Sequence, residues 1–264
     1  MKSVYRWIAN NTGLCRGFMF LGLGAIMFYA ATLENVPLMS VYLFVVVIWI
    51  FLARFIAMAS SKVMEEPAAI CDQQCDPYPL LNTLKQMLSR KQNPSQQQMT
   101  QINYALALRL IGETYQCADI LEKINIDRFP GTSPYSKFIY YNNLSDVLFL
   151  LGRDFEAKIW QKKAMQIYND LPANKMKQQF DHTVQLAEAE DLYRSGDYEL
   201  AIRKAAWINC RSTRQLLDTA LLAAKCHIAL EEMDKAREKL QYIMDNGNKL
   251  HIVEEARQLL ATLE

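Results

Sequence analysis

The sequence predicts an all-α chain: a two-helix transmembrane hairpin over residues 1–60, a linker at 61–79, and a solenoid of paired helices over 80–264. Three observations predict it. Two long, nearly uncharged runs fill the first sixty residues. From Tyr78 onward apolar residues recur at spacings of three and four, with no β-branched alternation. The breaks in that pattern fall at glycine or proline.

The hairpin comes first. No charge interrupts Gly17 to Leu33, and the run Val41 to Leu52 is more apolar still, continuing past Arg54 to Ala59. Roughly 20 helical residues cross a hydrocarbon core of about 30 Å. Spans at about 14–33 and 37–58 meet that length, the first with the help of its flanks. A cleaved signal peptide would use the first run alone, and a second, longer run a few residues later argues against it. A buried globular pair is disfavoured because Val45 to Phe51 has no polar face. Orientation follows from the basic residues. Lys2, Arg6 and Arg16 precede the first span, Arg54 and Lys62 end the second, and the turn around Glu34–Pro37 has none. Both termini are therefore expected in the cytoplasm, in a multi-pass protein of the cell membrane whose first partner is the lipid bilayer.

Charge confirms the division. Residues 1–64 carry five bases against Glu34, whereas the remaining 200 residues hold 24 bases and 27 acids, a net of −3. A near-neutral soluble region offers no footprint for nucleic acid. The linker, residues 61–79, contains Pro67, Pro77 and Pro79, which predicts a juncture in place of a long helix. Cys71 and Cys75 stand four apart in it and would share a face if one helical turn formed. With only Asp72 and Asp76 beside them they fall short of a zinc or iron–sulfur ligand set, and a metal or redox role is the minor reading beside a plain thiol pair. The six scattered cysteines fit a reducing compartment, Cys117 and Cys226 on apolar faces acting as small hydrophobes.

In the solenoid, helix starts read at Asn93-Pro94, Ser133-Pro134 and Asp170-Leu171-Pro172, and helix stops at Gly112, Gly152, Gly196 and Gly247, giving about nine or ten helices. Self-similarity then shows as columns. Gly112, Gly152 and Gly196 each lie five residues before a small side chain, Cys117, Ala157 and Ala201; Ala236 completes that set, with Glu231 in the glycine position. Twelve before these four stand Ala105, Ser145, Ala189 and Ala224. Nine before stand Leu108, Leu148, Leu192 and His227, and seven after stand Ile124, Ala164, Ile208 and Ile243.

This order of small, large, turn glycine, small resembles the tetratricopeptide repeat, best in Tyr193-Arg-Ser-Gly-Asp-Tyr-Glu-Leu-Ala-Ile202 and Leu151-Gly-Arg-Asp-Phe-Glu-Ala157. The resemblance covers roughly residues 95–246 and implies a TPR-like α-solenoid, with capping helices at Leu80–Arg90 and His251–Leu263. The repeats are 40, 44 and 35 residues apart, against a family period of about 34. The tryptophan usual in each first helix is replaced by Gln101, Tyr141, Gln185 and Ala220.

No nucleotide, zinc-protease or nucleophile-elbow motif occurs, so neither an enzymatic activity nor a cofactor is expected. His227 sits in a column of leucines and reads as packing, and His182 and His251, near helix starts, as exposed. Glu188, Glu190 and Asp191 read as one solvated helical turn, Lys158, Lys162 and Lys163 as another. Trp160 and Trp207, on second helices at apolar spacing, read as core.

The resemblance implies a binding role. First helices of such solenoids line the concave surface, which makes Ile102, Arg109, Asn142, Asp146, Phe149, Glu190, Tyr193 and Lys225 candidates for contact with a protein or peptide. The carboxylate clamp of the chaperone-binding members is not reproduced: Asn143 alone fits, while Ile102, Leu106, Thr183 and Ala187 occupy the other places. Phe149 and Tyr193 among charges of both signs better suit an amphipathic helix or an extended segment. The expected function is a membrane-tethered interaction scaffold; the alternative is an accessory subunit recognised through its hairpin, with the repeats as a brace. The topology is testable directly. In a cysteine-free background, Asn35→Cys should react with impermeant maleimide from outside intact cells, whereas labelling of Lys2→Cys or Glu264→Cys would reverse the orientation.

Overall fold

The structure, a computed structural model, describes residues 4, 5, 7, 8, 11–32, 38–90, 92, 94–128 and 132–263. Every regular element among them is a helix, and the chain divides into two units at Pro67/Ala68.

The first unit holds α1 (Thr12–Ala31) and most of α2 (Leu38–Gln74). The expected turn at 34–37 and the bases Lys2 and Arg6 lie outside the described residues. Gly13–Ala31 and Met39–Ile56 have mean hydropathies of 1.6 and 2.4 and are long and apolar enough to cross a membrane. Their large side chains, Phe18, Phe20, Leu21, Phe28, Phe44 and Phe51 among them, point outward. Tyr5, Ile8 and Cys15 meet Ile56 and Ala59, so the start of the chain lies beside the far end of the second apolar run, as a hairpin requires.

The expected juncture at 61–79 differs. Helix α2 runs unbroken through Pro67 and ends only at Gln74. Proline inside a helix forfeits one backbone bond and crowds the preceding turn, at about 3 kcal/mol. Beyond it, Cys71 and Cys75 are buried in the second unit and Asp72 pairs with Arg214, which offsets that cost. The break falls at Cys75, whose φ of 54° is left-handed.

The second unit follows as α3 (Tyr78–Leu88), α4 (Pro94–Leu110), α5 (Thr114–Glu122), α6 (Pro134–Leu150), α7 (Asp154–Asp170), the single turn α8 (Lys175–Gln178), α9 (Asp181–Arg194), α10 (Tyr198–Ala206), α11 (Thr213–Ala229), α12 (Met233–Asn246) and α13 (Ile252–Ala261). Pairs α4/α5, α6/α7, α9/α10 and α11/α12 form the repeats, and α3 and α13 pack on the first and last of them. Gly112, Gly152 and Gly196 take the left-handed conformation at the intra-repeat turns, and Glu231 takes it where the fourth repeat lacks glycine. Two expected boundaries move. At the end of α12 the left-handed residue is Asn248, not Gly247, whose φ is −80°. The start read at Asp170 is instead the end of α7; the next cap is Asn174, whose side chain accepts from the backbone N–H groups of Met176 and Lys177.

All eight residues of the two small columns are buried, none more than 1% exposed. They let paired helices approach until Ser145 Oγ donates to the Ala157 carbonyl across the pair at 2.9 Å. Hydrogen bonds then join the last part of the unit to its beginning. His251 N–H donates to the Leu110 carbonyl at 2.9 Å, Lys249 N–H to the Cys75 carbonyl at 3.1 Å, and Asn248 to the Gln74 carbonyl at 2.8 Å. His251 leaves no room for a side chain at Gly112: an added Cβ would stand 2.6 Å from its Nδ1.

Ala201→Trp should therefore lower the melting temperature of the repeat unit. Overpacking costs about 1–3 kcal/mol, or several degrees at this size. Glu199→Trp, two residues away on the exposed face, should leave the circular-dichroism melt nearly unchanged; equal losses would overturn the register.

Candidate functional site

The first helices of the repeats, α4, α6, α9 and α11, pack side by side with α13 closing the row, while the second helices carry the exposed aromatics Tyr115, Phe155 and Trp207. The inner face is built by charges from five helices. Arg109 comes from α4, Asp146 from α6, Glu190 and Arg194 from α9, Asp218 and Lys225 from α11, and Glu255 from α13. Asp146 is influenced by Arg109, Arg194 and Asp218, and Glu190 by Asp146, Arg194, Arg109 and Lys225.

Most candidates named above meet here. Asn142 is buried and its Nδ2 donates to Asp146 Oδ2 at 3.1 Å. Phe149 lies under the Arg194 guanidinium, 3.8 Å from the ring centre, a cation–π contact. Arg194 also pairs with Asp191 at 2.9 Å and, more loosely, with Glu190 at 3.6 Å. Lys225 pairs with Glu255 at 2.6 Å. Arg109 makes no ion pair among the described residues, and its Nε is buried without a hydrogen-bond partner. Two candidates fall elsewhere. Ile102 is fully buried in the core of the first two repeats and cannot line a groove, because its side chain seals α4 against its neighbours. Tyr193 is half-buried and packs on Tyr198, ring centres 5.6 Å apart.

Loss of water pushes both carboxyls upward. For Glu190, burial in the concavity and then the charge of Asp146 outweigh the three nearby cations, raising it to about 7. Asp146 is raised chiefly by burial, with Arg109 and Arg194 opposing. Glu190 nevertheless keeps 36% of its side chain accessible, so the cluster is reachable by water.

Arg194, Asp218 and Glu255 were not among the residues read from sequence. The signal was present, since Arg194 is four residues from Glu190 and Asp218 seven from Lys225, each on the same helical face. Three other readings change. Glu190 belongs to this interior and not to a solvated turn. His182 is buried, 7% exposed, beside Gln215 and Asp218, because α9 begins against α11 and not in solvent. Trp207 is 88% exposed at the end of α10, bordering an open outer notch of about 540 Å³ with Leu200, Arg203 and Lys204. Trp160 does stack on Tyr141, 5.4 Å between centres. Asn143 donates to its own helix at the Ile139 carbonyl, 2.6 Å away, and so is engaged within α6. Burial pushes the Cys71 thiol up to about 11 and Cys75 upward too, which leaves the pair protonated and unreactive.

The chain is an all-α, tetratricopeptide-like helical-repeat protein with two apolar helices at its start. Its fold is similar to that of Bacillus thuringiensis PlcR in the crystal structure of the apo form, at a TM-score of 0.53 and 19% identity over 87% of this chain and 84% of that one. No family model and no curated protein matches the sequence. At that identity the likeness to PlcR establishes the fold alone.

The raised carboxyls predict a pH dependence. A carboxyl raised in the folded state contributes stability that is present below its unfolded value and lost as pH rises through its folded one. For Glu190 the window runs from 4.5 to about 7. Wild type should therefore gain stability relative to Glu190→Gln between pH 8 and pH 6. With a third of the side chain wetted, screening holds the difference to about 1 kcal/mol, or about 2–4 °C. Comparing the two proteins at each pH removes the opposing effect of His182, held below its usual value by burial. Parallel melting curves would show Glu190 ionised throughout.

Proposed function

We propose that this chain is a membrane-tethered protein–protein interaction scaffold, not an enzyme, which holds a protein or peptide partner against the charged inner face of its solenoid. The observation that carries the reading is the convergence of Arg109, Asp146, Glu190, Arg194 and Lys225 from four repeats on one water-accessible interior. Desolvated charges cost stability unless fully paired, and groups held in that condition mark functional sites. Phe149, at the rim of the same cluster, supplies the aromatic anchor that interfaces favour. The outward-facing apolar side chains of α1 and α2 support the tether, since such surface is unfavourable in water at about 25 cal/mol per Å². Tethering raises the effective concentration of the groove near the bilayer without any added contact.

The accessory-subunit reading is favoured by a separate observation. Nothing lies within 4 Å of where a Cβ would stand at Gly13, Gly17, Gly22 or Gly24, so a partner helix could approach α1 closely.

Photo-crosslinking separates the two. With benzoylphenylalanine at Phe149 in the full chain, a partner should be captured from native membranes, while the same group at Phe155, 81% exposed on the outer helix α7, should capture none. Capture from Gly17 alone would transfer recognition to the hairpin, and capture from Phe155 alone would move the site to the outer face.

A further inference from the structure

The inner face is short of one cation in contact. Arg214 is held by Asp72 at 2.7 Å and Asp218 at 3.2 Å, Lys225 by Glu255, and Arg194 by Asp191 and the face of Phe149. Among the described residues Asp146 has a single hydrogen-bond partner, the Asn142 amide. Among the described residues Glu190 has only the loose 3.6 Å pair with the already committed Arg194. These two carboxyls come from α6 and α9, in different repeats; the charge of Asp146 disfavours ionisation of Glu190, and that of Asp218 disfavours ionisation of Asp146. Arg109 reaches both electrostatically without touching either, and its Nε has no acceptor.

We propose that the partner's segment presents a lysine or arginine side chain to Asp146 and Glu190, with a neighbouring backbone carbonyl accepting from Arg109 Nε. This rests on the scaffold reading and specifies the chemistry of its ligand. A basic peptide residue offers both complements at once: a cation for the carboxyl pair and a carbonyl for the guanidinium. An acidic residue aimed at Arg109 would bring a third negative charge against Asp146 and Glu190, with Asp218 adding to the repulsion. A neutral apolar residue would leave all three groups desolvated and unpaired.

The site is also proton-coupled. In the free protein the pair takes up a proton near neutrality, Glu190 being raised to about 7 and Asp146 in the same direction. The groups facing it from each packed element are Arg109 of α4, Arg194 and Asp191 of α9, Asp218 and Lys225 of α11, and Glu255 of α13. The bound cation displaces that proton to solvent, so affinity rises with pH and levels off above the pair's titration, by at most about tenfold per pH unit for one proton.

The test uses the full chain in nanodiscs and three acetylated, amidated heptapeptides that are alanine and serine except at the centre, which is arginine, its uncharged isostere citrulline, or glutamate. Calorimetry at pH 6 and pH 8, in two buffers of different ionisation enthalpy, should give at least tenfold tighter binding of the arginine peptide over citrulline at pH 8. That advantage should shrink at pH 6, with net proton release on binding. Asp146→Asn combined with Glu190→Gln should erase the advantage while its melting curve stays cooperative. Equal binding of arginine and citrulline, or a preference for glutamate, overturns the cation assignment but leaves a peptide groove standing. Absence of binding by all three up to millimolar concentration also overturns it, and crosslinking from Phe149 then decides the scaffold reading independently.

Discussion

The close contact of paired helices at eight small residues is the constraint on which the rest of the solenoid depends. Ala105, Ser145, Ala189 and Ala224 face Cys117, Ala157, Ala201 and Ala236, and all are buried. Any larger side chain there would separate the pair, and the large columns behind it, Leu108, Leu148 and Ile243 among them, would lose their packing. The contact sets how sharply each repeat turns on the next. It thereby lets charged side chains of α4, α6, α9 and α11 come within electrostatic reach of one another. The charges of that interior are a consequence: Arg109 and Glu190, 81 positions apart in the chain, feel one another because alanines elsewhere allow the helices to close.

That interior is unfavourable taken alone. Two carboxyls are partly withdrawn from water, and among the described residues the buried Arg109 Nε and His182 Nε2 have no hydrogen-bond partner. Cores that serve packing alone bury leucine and valine in such places, as the first two repeats do around Phe138, Leu144 and Val147. The contrast between a saturated apolar core on one side of each first helix and an unsaturated polar face on the other separates what stabilises the fold from what costs it stability. The protein tolerates the second because the first is complete.

How much of this could be read in advance depended on the range of the interactions involved. The columns, the left-handed turns at Gly112, Gly152 and Gly196, and the capping helices follow from spacings within about 40 residues, so periodicity exposes them. The position of Arg109 against Glu190 needs the superhelical pitch, which repeats of 40, 44 and 35 residues do not announce. His182 and Trp207 exchanged their expected environments for the same reason: α9 starts against α11, and α10 ends one residue short of covering an indole. Helix α2 is the sharpest case. Pro67, Pro77 and Pro79 argue locally for a juncture at 61–79, yet residues 68–74 are helical because they bond to residues some 140 to 175 positions away.

Those distant bonds alter what counts as the repeat domain. Asp72 holds Arg214, Gln73 donates to the Arg211 carbonyl, Asp76 holds Lys249 at 2.6 Å, and Cys75 is buried among Leu217, Leu240, Ile243 and Leu250. The segment stands first in the sequence of the unit but completes its last repeat. A closing element of this kind usually comes from the far terminus as a capping helix. Here α13 shares that work with the end of α2, and α13 meets α4 through the bond from His251 to Leu110. The unit is therefore closed by the same helix that carries the second apolar run. The burial of Cys71 and Cys75 is then explained by packing: Cys75, just past the end of α2, sits in the apolar core of the fourth repeat, and Cys71 is buried one turn before it.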